Sequence, residues 1–88
     1  MKQRRKAAAL KYEDNLKAPM VTAAGAGFIA DKIINEAKEA KVPVVYNKEL
    51  TELLTNVDVG EYIPTELYEA VAYIIAYVVE VDKLMDER

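Results

Sequence analysis

Apolar and polar positions follow two different rhythms along this chain. Near the start, Ala8, Leu10 and Tyr12 fall two apart while Lys11 points the other way. That is the period of a strand with one half-buried face. It predicts a first strand over residues 7–12, although its alanines have weak β-propensity. Glu13-Asp14-Asn15 is a turn signal. Pro19 lacks an N–H and is tolerated at the entry of a strand. Met20-Val21-Thr22-Ala23-Ala24 then reads as the second strand.

After Gly25-Ala26-Gly27, which allow a sharp strand-to-helix turn, the rhythm changes. Ile29, Ile33, Ala37 and Ala40 recur at helical spacing, and Ala30 and Ile34 widen the stripe. Asp31, Lys32, Glu36, Lys38 and Glu39 take the other side, so residues 28–40 form an amphipathic helix that ends before Pro43. The apolar run Val44-Val45-Tyr46 reads as a buried third strand. Strand, helix and strand over residues 20–46 compose a βαβ unit, whose right-handed crossover makes the two strands parallel. Asn47 is the expected N-cap of a short second helix carrying Leu50, Leu53, Leu54 and Val57 on one stripe. Residues 57–63 form a loop turning at Gly60. Pro64 opens the last helix, with Glu66 near the positive end of its dipole. From Leu67 to Val79 that helix is apolar nearly all round, Glu69 excepted, as in a buried helix. The expected fold class is α/β. A small mixed β-sheet of three to four strands, with the βαβ unit at its centre, packs with about three helices, the last against the sheet.

Composition adds bounds. At 88 residues, 52% hydrophobic and 31% charged, the chain makes one folded domain rather than a disordered segment. The expected layout is a basic tail over residues 1–6, the domain over 7–81 and a charged tail over 82–88. Net charge is −3, yet Lys2, Arg4, Arg5 and Lys6 put +4 at the start and leave −7 on the rest. A body of that sign disfavours nucleic acid, which needs clustered Lys and Arg. The basic start is either a solvated tail or a contact for an anionic surface. Ala7-Ala8-Ala9-Leu10 is too short for a signal peptide's apolar region, and residues 70–79 are too short for a membrane span, which takes about 20 residues. A cytoplasmic location is expected.

The chain has no Cys and no His, and no Ser occurs in it. This removes thiolate metal sites and most nucleophile–base pairs. Gly25-Ala26-Gly27-Phe28-Ile29-Ala30 fits the G-x-G-x-x-G/A dinucleotide pattern, but the next apolar run ends in Tyr46-Asn47 without the carboxylate that holds a ribose. A structural turn is the better reading than a nucleotide-binding enzyme fragment. Glu36/Glu39 and Glu49/Glu52 read as solvated helix faces, and Tyr68, Tyr73 and Tyr77 as packing or interface residues. No catalytic set, cofactor site or metal site is expected, and no small-molecule substrate.

Several stretches together carry a family resemblance: Ala9-Leu10-Lys11-Tyr12, Ala18-Pro19-Met20-Val21, the Gly25–Ala30 turn, Val42-Pro43-Val44-Val45 and Glu49-Leu50. Val59-Gly60-Glu61-Tyr62-Ile63-Pro64, Leu67-Tyr68-Glu69-Ala70-Val71-Ala72 and Ala76-Tyr77-Val78 complete the set. In this order the motifs resemble the C-terminal cytoplasmic domain of the FlhB/YscU family of type III export-apparatus proteins, over about residues 7–79. The resemblance implies a non-enzymatic interaction module in flagellar or type III protein export. Its expected partners are export substrates, a substrate-switching protein and membrane-embedded components of the apparatus. The family's self-cleaving Asn-Pro-Thr-His is replaced by Lys2-Gln3-Arg4-Arg5, and the three prolines follow Ala18, Val42 and Ile63. Cleavage by that route is therefore expected to be absent, and a stand-alone substitute for the cleaved fragment is implied. The family's substrate-binding patch maps onto Ala18, Pro19, Ala72 and Ile75, where small residues would leave a shallow groove or serve as plain core. The alternative is a small α/β binding module with another partner and no export role.

Overall fold

The computed structural model describes the backbone of residues 5–86 and side chains as far as Val81. Two strands, β1 (Lys6–Lys11) and β2 (Met20–Ala26), form an antiparallel hairpin. Three helices follow: α1 (Phe28–Glu39), α2 (Lys48–Leu54) and α3 (Tyr68–Asp86), the last entered through a 3₁₀ turn, Thr65–Leu67.

The hairpin separates two apolar layers because successive side chains of a strand point to opposite faces. Ala7 packs with Ala30 and Ile34 of α1. Ala8 and Leu10 face the main core, built from Ala18, Val21, Leu50, Leu54, Ile63, Leu67 and Val71. Val21 and Val71 are fully buried, each contributing roughly 1.5–3 kcal/mol. The ion pairs Arg5–Asp31 and Lys6–Glu52, at 3.4 and 3.7 Å, are exposed and contribute far less.

The register slips once. Ala9 faces Ala23 and Leu10 faces Val21, which leaves Thr22 as the extra residue of a β-bulge. Its hydroxyl donates to the Ala9 carbonyl at 3.3 Å. The outer side of β2 is strapped by residues 60–63: Val21 N–H donates to Glu61 O, Gly60 N–H to Val21 O and Ile63 N–H to Pro19 O. Among the described residues, the outer side of β1 pairs with no strand.

Local chemistry explains the junctions. Gly27 enters α1 at φ 61, ψ −126, a conformation that L side chains avoid. At the other end Lys41 sits at φ 61. Lys41 N–H reaches Lys38 O and Val42 N–H reaches Ala37 O, a Schellman motif with lysine in glycine's usual place. Asn47 caps α2 as expected, its side-chain oxygen accepting from Leu50 N–H at 3.0 Å.

Two expectations are corrected. Among the described residues the sheet has two strands, not three or four, and Val44-Val45-Tyr46 belongs to neither. The run is apolar, but among the described residues no strand shares a ladder with it, so no parallel βαβ pair forms. α3 is not buried all round. Val71, Ile74, Ile75 and Val78 turn inward, whereas Tyr73, Tyr77 and Val79 are exposed, because so small a domain has core enough for one helix stripe only. The helix runs through Asp86.

Candidate functional site

The four positions singled out from the sequence fall into two neighbouring groups. Ala18 and Pro19 lie at the entry to β2. Ala18 is 3% exposed and belongs to the main core, and Pro19 is half-buried, its carbonyl held by Ile63 N–H at 2.9 Å. Ala72 and Ile75 lie on α3. Ile75 is half-buried and packs against the same core, while Ala72 is exposed. Val71 joins the groups, since it and Ala18 share one apolar cluster. Ala18 is thus buried, Pro19 and Ile75 are half-buried, and Ala72 opens to solvent. Lys2, Gln3 and Arg4 of the replaced cleavage motif lie outside the described residues. Arg5 is exposed and pairs with Asp31.

The domain surface carries several exposed apolar side chains. Tyr73 and Tyr77, one turn apart on α3, are 77% and 62% exposed. Tyr46, before α2, and Phe28, at the start of α1, are more than three-quarters exposed. Aromatic rings with one polar end suit protein contacts more than chemistry. Among the described residues no cluster of metal-binding side chains occurs, and no buried side-chain polar atom lacks a partner. The glycine motif is accounted for by geometry. Gly27 takes the positive φ, and Gly25 leaves room for Ile29. No helix among the described residues is long and apolar enough to cross a membrane.

The fold matches those of two solved structures. The cytoplasmic domain of FlhB from Shewanella putrefaciens superposes with a TM-score of 0.89 at 30% identity, covering 94% of this chain and 69% of that one. The PscU C-terminal domain gives 0.79 at 25% identity, covering 83% and 95%. The chain belongs to the FlhB HrpN YscU SpaS family, whose model matches residues 5–78. It is 45% identical over 85 residues to the Bacillus subtilis (strain 168) protein YlqH, covering 96% of this chain and 91% of YlqH. It is 49% identical over 74 residues to the flagellar biosynthetic protein FlhB of Aquifex aeolicus (strain VF5), covering 82% of this chain. The chain spans 21% of that FlhB's length. The resemblance read from the motifs is therefore a family relationship, and this is an FlhB/YscU-type export domain.

The sequence pattern missed the open face of α3, whose all-apolar composition concealed which side turns outward. The uneven distribution of Tyr73 and Tyr77 against Ile74, Ile75 and Val78 is the signal that could have revealed it, since only the tyrosines carry a group that prefers water.

Proposed function

We propose that this domain is a non-enzymatic docking module of the flagellar or type III export apparatus, recognising export substrates or the protein that switches substrate specificity. It would act in the cytoplasm, at the face of the membrane-embedded export components. The observation that carries the reading is the small-residue surface at the β2 entry and on α3. Exposed Ala72 stands beside half-buried Ile75, over a core that contains Ala18. Small side chains over a firm apolar floor admit a partner's branched side chains without displacing the fold. Support for the export setting comes from the family match and from FlhB relatives over most of the chain.

The test is a titration of isotope-labelled protein with peptides carrying the short hydrophobic motif of early export substrates, followed by NMR. Saturable shifts centred on Pro19, Ala72 and Ile75 are expected. A folded sample that shows no shifts at millimolar peptide would remove direct substrate recognition from the reading. Intact-mass measurement of the purified chain is expected to show one uncleaved species, because no Asn-Pro bond is present.

A further inference from the structure

α3 turns a second face away from the core. Glu66, Glu69, Tyr73, Tyr77 and Glu80 recur at steps of three and four from the 3₁₀ turn through α3, and each is exposed. That spacing places them on one side of the helix. Val71 and Ile75 pack in the core on the other side, and Ala72 lies about 100° round the helix from Tyr73. Tyr73 and Tyr77 are 77% and 62% exposed, so most of each ring meets water. At its start the stripe borders a groove of about 460 Å³ between α2 and the entry to α3. Glu49 and Leu53 line the groove on the α2 side, Glu66 and Ala70 on the other, and no Lys or Arg lines it. From Pro64 to Asp82 the sequence has no basic residue. Glu52, also at the groove, is paired with Lys6, and Glu66 accepts a hydrogen bond from the Thr65 hydroxyl. Among the described residues, Glu49, Glu69 and Glu80 enter no ion pair.

We infer that this acidic and aromatic face of α3, with the groove beside α2, docks an arginine-bearing amphipathic helix of a partner protein. Three features select the occupant. The elements that border the groove are helical and bond their own backbones, so the surface offers no strand edge. An occupant must satisfy its backbone internally, as a helix does. Charge sets the sign. The chain carries −3 overall and, with the +4 of Lys2, Arg4, Arg5 and Lys6 set apart, −7 on the rest, which steers a cationic partner. The rings then choose between the two cations. A guanidinium lies flat on a phenol ring while its N–H groups reach a carboxylate, whereas an ammonium is more strongly hydrated and has no flat face. Glu69 stands one turn before Tyr73, and Glu80 stands three residues after Tyr77. Two partner arginines one turn apart would each meet a ring and a carboxylate. Leu53, 48% exposed, and exposed Ala70 give the partner's apolar side chains a seat at the groove.

The probe is a synthetic amphipathic helical peptide with arginines one turn apart on one face and Leu and Ala beside them. It is titrated into the isotope-labelled 88-residue chain at about 0.15 M salt, where exposed charges more than about 8 Å apart are largely screened. A twin peptide carries Lys in place of Arg. Expected are saturable amide shifts at Leu53, Ala70, Tyr73 and Tyr77, with the Arg peptide binding several-fold more tightly than its Lys twin. The double variant Tyr73→Ala, Tyr77→Ala is expected to weaken the Arg peptide about tenfold and to erase the difference between the twins. Both tyrosines are exposed, so this variant should keep the wild-type fold. If it does not, the wild-type shift map and the comparison of the twins decide the matter. Equal affinity for the two peptides, or full affinity in the tyrosine double variant, would reduce the effect to the attraction of any cation and overturn the inference. So would shifts that fall elsewhere, no shifts at millimolar peptide, or a stable dimer whose α3 face is already covered by a second copy. Pro19, Ala72 and Ile75, on which substrate recognition rests, lie outside the stripe. Shifts there with substrate peptides, and none at Tyr73 and Tyr77 with the Arg peptide, would leave the export reading standing and sink this one.

Discussion

Gly25 lies so close to Ile29 that a Cβ added to the glycine would stand 2.7 Å from the Ile29 Cβ. The last turn of β2 and the first turn of α1 thus meet through a missing side chain. Gly25→Ala is expected to destabilise the fold by roughly 1–3 kcal/mol, the usual cost of overpacking. The obstructing atoms begin at the Ile29 Cβ, which is fixed to the helix and cannot swing away. Ile29 is 56% exposed, so Ile29→Ala alone should be mild, and the double variant should recover part of the loss. A double-mutant cycle in urea checks this, and additive effects would show that the contact is not the cause.

Asn47 carries the start of α2. Asn47→Ala removes the acceptor for Leu50 N–H and is expected to cost about 1 kcal/mol, whereas Asn47→Asp should be nearly neutral. Equal losses from the two substitutions in chemical denaturation would assign the effect to something other than the cap.

Lys41 holds a backbone conformation that suits glycine. Lys41→Gly relieves the φ of 61 in the Schellman motif and should stabilise the domain by at most about 1 kcal/mol, the gain being reduced by glycine's freedom in the unfolded chain. For a domain of this size that corresponds to a rise in melting temperature of at most about 4–8 °C. A lower melting temperature would mean that the lysine side chain contributes more than its backbone costs.

Ala18 and Ala72 separate floor from surface. Ala18→Asp places a carboxylate in the main core and is expected to unfold the domain, while Ala72→Asp leaves the folded spectrum intact and abolishes binding of substrate peptides. Circular dichroism and the NMR titration read the two outcomes apart. If Ala72→Asp bound peptide as the wild type does, α3 would have no part in the docking surface.

Much of the fold was legible because its elements are local. The alternation of Ala8 and Leu10, the helical stripe of Ile29, Ile33 and Ala37, and the Asn47 cap all act within a few residues, so pattern reveals them. Val44-Val45-Tyr46 misled because a strand is defined by its neighbour, and apolar composition is shared by strand and cleft wall alike. α3 misled for a related reason. Its residues are nearly all apolar, and which of them face inward depends on how much core the rest of the chain supplies. The four proposed docking positions carry no signal in hydropathy. Ala18 and Ala72 are the same residue type at opposite burial, so motif order located them and only the three-dimensional structure told the buried one from the exposed one.

The strap over β2 has a consequence for the order in which the molecule assembles. β1, β2 and α1 are consecutive and contact one another across short stretches of chain. The three backbone hydrogen bonds between Pro19 or Val21 and residues 60–63 instead close a loop of some forty residues, whose entropy must be lost before any of the three bonds forms. The expected sequence is hairpin with α1 first, and strap with the α3 entrance last. Pulse-labelled hydrogen exchange would then show Val21 and Ile63 gaining protection together, after the hairpin amides, as the final closure that buries Val71.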